Sequence, residues 1–278
     1  VNTTKIEWTD LTVNPISGCS PLSEGCQNCY AARMAKRLAG RFGYDKTDPF
    51  RVTFHPGQIE KVLKIKKPKK IFVCSMGDLF HPDVPFDWVR QVTDVMAQSP
   101  QHTYQILTKR PERMREYWEE SGWTDADEWP NVWLGVTAEN QKTADERIPV
   151  LVDIPAAVRF VSAEPMLEKI NLEGLFGEWC DYKYACDEGG GDLGGYPASC
   201  PPGCEGCTPS PTRYEPGLDW VIVGAETGPG VRPMNPDWAR DVRDQCTATG
   251  TPFFFKKMSG GADIPDDLMI REFPKGVE

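Results

Sequence analysis

The sequence predicts an α/β fold, a partial barrel of about six strand–helix units, and three observations carry that prediction. Short apolar runs rich in β-branched and aromatic residues alternate with helix-length amphipathic stretches along most of the chain. The runs are nearly continuous in apolar residues, as expected of strands covered on both faces. A polar or charged residue follows almost every run at the same end: Asp78, Lys109 and Arg110, Glu139 and Asn140, Glu164, Glu226, Lys256 and Lys257. Such alternation implies parallel strands joined by right-handed crossovers, which a barrel and a doubly wound sheet both satisfy. The polar strand ends favour the barrel, whose C-terminal strand ends meet at one mouth.

In chain order, "TDLTV" (9–13) is a weak first strand, followed by a helix over 27–40. "IFVCSM" (71–76), "TYQILT" (103–108), "VWLGVT" (132–137) and "VRFVSA" (158–163) follow as strands, separated by helices at 87–98, 111–121 and 141–153. "WVIVGA" (220–225) and "PFFFKK" (252–257) complete the set, with a helix over 236–249 between them. "NPDW" (235–238) supplies an N-cap with proline at the first helical position, and Gly250 the matching stop. Residues 172–218 break the pattern: they are rich in glycine, proline and cysteine, carry no helical period, and read as an insertion needing metal to hold its shape. Residues 1–171 and 219–260 are thus expected to form one barrel domain, 172–218 a metal-binding insertion and 261–278 a C-terminal tail.

At 278 residues with 40% hydrophobic and 26% charged content, the composition is that of an ordinary globular protein. No run of about 18 apolar residues is present, and no charged-then-apolar leader opens the sequence. A cytoplasmic protein with no membrane contact is expected. The net charge of −10 argues against broad adhesion to nucleic acid but leaves room for a local basic groove. "KIKKPKK" (64–70) is one basic run, with a solvated loop before a strand as its plainer reading.

Cysteine placement is the strongest chemical signal. Of ten cysteines, Cys19, Cys26 and Cys29 form a C-x6-C-x2-C group; Cys180, Cys186, Cys200, Cys204 and Cys207 form a second group. Clustering at ligand-like spacing favours metal binding by reduced thiols over disulfides. Three thiolates can hold three irons of a 4Fe–4S cluster and leave the fourth open; the alternative is zinc with a distant fourth ligand such as His55, His81 or Cys74. For the second group, structural zinc and an auxiliary iron–sulfur cluster both remain open.

The blocks "GCSPLSEGCQNCYAARMAKR", "IFVCSMGDLFHPDVP", "LTKRPER", "LGVTAENQKTADERIP", "FVSAEPML", "WVIVGAETGPGVRPM" and "PFFFKK" occur in that order. With the three-cysteine site ahead of a β/α array, the chain resembles the radical S-adenosylmethionine (SAM) superfamily, in a phage-associated branch catalogued as a domain of unknown function. Most of that superfamily uses C-x3-C-x2-C, so the six-residue first gap implies a different loop path. The resemblance implies a partial radical SAM barrel in which Cys19, Cys26 and Cys29 carry a 4Fe–4S cluster. The open iron would bind the amino and carboxylate groups of SAM, and reductive cleavage would yield a 5′-deoxyadenosyl radical that abstracts hydrogen from an inert C–H bond.

Further roles follow from the resemblance. Tyr30 would neighbour the adenine, and Ser75, Met76, Gly77 and Asp78 would receive the SAM amine. Lys109 or Arg110 would pair with the SAM carboxylate, with a helix-end pair to Glu112 as the alternative for Lys109 and a turn cap for Asp78. Thr137, Glu139 and Asn140 would meet the ribose, and Ser162 adenosine or substrate. Glu164, Glu226 and Cys74 are weak catalytic candidates; a buried strand thiol is the more ordinary reading of Cys74. The implied function is isomerisation of an amino-acid-modified (glycyl) thymidine in phage DNA, with a one-electron donor such as flavodoxin and the base flipped from its stack. A DNA-repair lyase resembling spore photoproduct lyase, and a non-enzymatic zinc protein that binds nucleic acid, are the competing readings.

Overall fold

The computed structural model describes residues 1–126, 129–180, 184–185, 208–209, 213–215 and 217–274. The strands are β1 (Asn2–Thr3), β2 (Leu11–Val13), β3 (Ile16–Ser17), β4 (Thr53–Phe54), β5 (Lys70–Val73), β6 (Thr103–Thr108) and β7 (Val132–Thr137). Then come β8 (Val158–Ala163), β9 (Glu178–Cys180), β10 (Tyr184–Ala185), β11 (Thr208–Pro209), β12 (Arg213–Glu215), β13 (Trp220–Val223) and β14 (Phe253–Phe255). The helices are α1 (Tyr30–Leu38), α2 (Pro56–Ile59), α3 (Phe86–Ala97), α4 (Pro111–Ser121), α5 (Gln141–Val152) and α6 (Pro236–Thr249).

The chain is α/β. One eight-stranded sheet has the order β1-β2-β5-β6-β7-β8-β13-β14, parallel throughout except for β1 at its edge. The order follows the sequence, so successive crossovers step in one direction and the helices collect on one face. There Val89, Met114, Ile148 and Val242 pack on alternate strand residues such as Val73, Ile106, Val136, Val161 and Val223. The opposite face carries its own aromatic cluster of Trp8, Phe72, Trp133, Phe160, Trp220 and Phe254.

That second cluster requires a curled sheet. β2 and β13 are five places apart, which in a flat sheet means ~24 Å. Yet the rings of Trp8, just before β2, and Trp220, in β13, lie 6.2 Å apart edge to face. The C-terminal segment, expected as a tail, helps close the curl: Phe273 stacks 5.3 Å from Trp220, Lys70 Nζ sits 4.2 Å over the Phe273 ring, and Arg271 pairs with Glu7 at 3.0 Å.

Inside the curl, Gly135 is dictated by its neighbour, because a Cβ there would lie 2.5 Å from the Phe160 ring. Gly135→Ala is expected to cost about 1–3 kcal/mol of stability through overpacking, checked by urea unfolding; an unchanged midpoint would show that Phe160 has room to move.

All seven expected strands appear in the expected order, with β1 added at the sheet edge; β6, β7 and β8 keep their expected bounds and the others are shifted or shortened. "IFVCSM" stops at Val73 because Cys74 turns to φ +62°, a left-handed conformation that ends the strand. The first helix begins at Tyr30, with a 3₁₀ turn at Glu24–Cys26 before it. At the base of the insertion, β9 pairs antiparallel with β12, and a bridge joins Phe176 to Leu218. Gly217 lets these backbones close up, since a Cβ would fall 2.1 Å from the Gly177 nitrogen. Cys186, Cys200, Cys204 and Cys207 lie outside the described residues, and of Cys180 only the backbone is described. Among the described residues no helix is long and apolar enough to cross a membrane.

Candidate functional site

The curl opens at the C-terminal strand ends into a cavity of about 700 Å³. The structure brings most of the sequence-predicted residues together on its walls: Cys19, Cys26, Cys29 and Tyr30; Cys74, Ser75, Met76, Gly77 and Asp78; Lys109, Arg110, Thr137, Ser162, Glu164 and Glu226. Glu139 and Asn140 stand behind the lining. Asn140 caps α5, its Oδ1 accepting from Thr143 N at 2.9 Å while Thr143 Oγ1 accepts from Asn140 N at 3.2 Å.

The loop carrying the three cysteines is fixed at its entrance by two glycines. Gly18 (φ +90°) donates to Met76 O at 2.9 Å and bridges to Gly77, where a Cβ would lie 2.9 Å from Gly18 O. Glycine in "SMGD" therefore admits the cysteine loop's own backbone. The carbonyls of this segment are also engaged: Cys74 O accepts from Gly77 N, Ser75 O from the Tyr30 hydroxyl and Met76 O from Gly18 N. Each keeps a second lone pair for a ligand.

Beyond that entrance the loop is strapped to four strand ends. After β5 and β6, Asp78 Oδ2 holds Arg110 Nη1 at 2.9 Å, and Arg110 reaches Ser20 O and Oγ at 3.1 and 3.2 Å and Cys19 Sγ at 3.5 Å. Asp78 Oδ1 also accepts from Thr108 Oγ1 at 2.7 Å and from Phe80 N at 3.0 Å, so the turn-capping role is realised too. After β7, Glu139 accepts from Lys109 Nζ at 3.0 Å, Arg147 Nη1 at 3.0 Å and Gly25 N at 3.4 Å. Lys109 thus pairs with Glu139 rather than with Glu112. After β13, Glu226 accepts from Asn28 Nδ2 at 2.9 Å and from Arg232, whose Nη2 also donates to Glu24 O at 3.0 Å.

Glu139 and Glu226 are buried, and burial alone would raise their pKa values. At Glu139 the cations of Lys109 and Arg147 outweigh burial and hold the carboxyl below its ordinary value. At Glu226 the bonds from Arg232 and Asn28 do the same, to about 2. Both are therefore anionic anchors at neutral pH.

The thiols differ in environment. Burial pushes Cys19 up to about 11, with Asp78 adding to the rise and Arg110 opposing it. For Cys26 the burial effect is overcome by hydrogen bonds from Leu22 and Ser23 and by the Lys109 charge, so its pKa falls below that of an ordinary thiol. Cys74 is fully enclosed and pushed up to about 12 by burial.

Three soft thiols from one loop line one cavity, each partly accessible, which is the type of donor an iron–sulfur cluster takes. Among the described residues no three His, Cys, Asp or Glu side chains converge as ligands of a single ion. Cluster ligands need no such convergence, since each thiolate binds a different iron. The two histidines considered as fourth ligands have other partners. His81 accepts from Asp83 N through Nδ1 at 3.1 Å and meets Ser20 Oγ through Nε2 at 2.7 Å. His55 meets Ser17 Oγ at 2.8 Å and lines a separate cavity.

Another part of the lining carries a different group. Lys256 Nζ donates to both oxygens of Glu164 at 2.6 and 2.7 Å, and Lys257 Nζ lies 3.8 Å from Glu164 Oε1. Gly224 leaves room for this pair; a Cβ there would be 3.3–3.4 Å from Glu164 and Lys256. Thr137 and Ser162, both buried, also line the cavity.

Sequence reasoning missed Ser20, Asn28, Arg147 and Arg232. Arg147 did carry a signal: it shares the buried stripe of α5 with Ala144, Ile148 and Leu151, where a charge needs a partner. Asn28 lies in a loop and meets Glu226 across 198 residues, whereas Arg232 meets Glu226 six residues away and reaches Glu24 O across 208.

No curated protein and no solved structure matches the chain. A family model described as "Protein of unknown function (DUF5131)" matches residues 3–269, and the chain belongs to that family.

Proposed function

We propose that this protein is a radical SAM enzyme, with Cys19, Cys26 and Cys29 as the ligands of a 4Fe–4S cluster and a nucleic-acid-linked substrate. The observation that carries the proposal is the placement of three thiols from one loop on a cavity at the C-terminal ends of a curled parallel sheet. When bound, such a cluster together with SAM supplies reductive cleavage to a 5′-deoxyadenosyl radical.

The chain's own residues do the rest. Arg110, Glu139 and Glu226 hold the loop to three strand ends, so the ligands keep their spacing before any metal arrives. Tyr30, at the start of α1 with its hydroxyl on Ser75 O, offers a ring face beside the cysteines. Thr137 and Ser162 present hydroxyls for a sugar or a base edge. The aromatic floor of Trp8 and Phe72 keeps water from the closed end. The reaction we favour is isomerisation of an amino-acid-modified thymidine in DNA. It would require an electron donor such as flavodoxin and a flipped base.

Anaerobic reconstitution with iron and sulfide is expected to give brown protein absorbing near about 400 nm that converts SAM to 5′-deoxyadenosine with dithionite. Turnover of glycyl-thymidine would identify the isomerase, and cleavage of a pyrimidine photoproduct a repair lyase. A colourless protein with one tightly held zinc at these cysteines would overturn the proposal.

A further inference from the structure

The charges around the cavity do not cancel, and the surplus is local. Asp78 is matched by Arg110 at 2.9 Å, and Glu226 by Arg232. Lys109 meets Glu139 at 3.0 Å and shares it with Arg147, which lies outside the cavity lining. Elsewhere in the cavity two lysines meet one carboxylate: Lys256 takes both oxygens of Glu164, leaving the Lys257 ammonium with only a 3.8 Å approach and no hydrogen bond among the described residues. Lys5 also lines the cavity and forms no ion pair among the described residues. The remaining nearby acid, Glu7, is taken by Arg271 at 3.0 Å. In a chain of net charge −10, these lysines are a local excess of positive charge.

We propose that Lys257 and Lys5, which line the same cavity as the cysteines, form an anion-binding subsite that receives an anionic oxygen group of the substrate, a phosphate or a carboxylate. Lys256 contributes by occupying Glu164, which would otherwise neutralise Lys257. Burial and the neighbouring Lys256 charge lower the Lys257 pKa, as expected for an ammonium lacking a full counter-ion. An incoming oxyanion supplies that counter-ion inside a partly enclosed site, where the attraction exceeds that at open surface. The subsite stands whether or not the cysteines carry a cluster.

Site-resolved lysine labelling tests it on the full chain without metal. An N-hydroxysuccinimide ester is applied at constant ionic strength with inorganic phosphate, acetate or a thymidine oligonucleotide, and each lysine is read by mass spectrometry. At a ligand concentration about nine times its dissociation constant, labelling of Lys257 and Lys5 is expected to fall about tenfold, with exposed Lys142 unchanged. Protection by phosphate and oligonucleotide but not acetate assigns the anion to a nucleic-acid phosphate. Protection by acetate alone assigns it to a carboxylate. In Lys257→Gln the protection of Lys5 should disappear. Unprotected Lys257 and Lys5 with all three probes, or protection of Lys5 that survives Lys257→Gln, overturns the proposal.

Discussion

Cys26→Ala is expected to abolish cluster binding and SAM cleavage together while leaving the fold intact. Cys26 is half-buried, and its backbone nitrogen bonds Ser23 O at 3.0 Å, an interaction alanine preserves. The loop is held through Ser20, Gly25 and Asn28, none of which depends on the Cys26 sulfur. Stability should therefore change little, whereas the donor set falls from three thiols to two. Among the described residues, Cys26 is the one thiol whose pKa is shifted downward, which would make it the readiest of the proposed ligands and its loss the most consequential. Iron content, visible absorbance and 5′-deoxyadenosine formation, measured beside circular dichroism, check this. SAM cleavage at the wild-type rate in the variant would refute the ligand assignment.

The largest stability effect is expected at Glu139. Its side chain is fully buried (0% exposed) and holds Lys109, Arg147 and the Gly25 amide. Removing it as Glu139→Ala strands the Arg147 cation, itself 5% exposed, with only Thr137 O at 2.7 Å as partner. Breaking a buried pair from one side costs about 3–5 kcal/mol, measurable as a large drop in the urea midpoint. Glu139→Met combined with Arg147→Leu removes both charges and should recover much of that loss. The double variant should still bind cluster poorly, because Gly25 is no longer held. Equal stability of Glu139→Ala and wild type would show that Arg147 finds water or another acceptor.

The strands and main helices were legible in the sequence because continuous apolar runs have few alternatives in an α/β chain. "VWLGVT" and "VRFVSA" became β7 and β8 without change of bounds. The end of β5 was not legible: "IFVCSM" stays apolar through Met76, and nothing local marks Cys74 for positive φ. The convergence of Asp78, Lys109, Glu164 and Glu226 on one mouth followed from their strand-end positions. Their partners did not, since pairing is a tertiary property. Asn28 and Glu226 are 198 residues apart, and Gly25 and Glu139 are 114 apart. Groups read as ligand contacts turned out to spend much of their bonding capacity on one another and on the cysteine loop. Asn140 illustrates the limit at short range, where an N-cap and a ribose contact demand the same residue type.

The paired stem at the base of the 172–218 excursion has an architectural corollary. Phe176 and Leu218 meet where the excursion departs and returns, while β8 and β13 remain hydrogen-bonded neighbours in the sheet beneath. The two ends of the segment are thus already side by side, like a socket. A shorter turn or an unrelated module with adjacent termini can be exchanged there without moving the strands that frame the mouth.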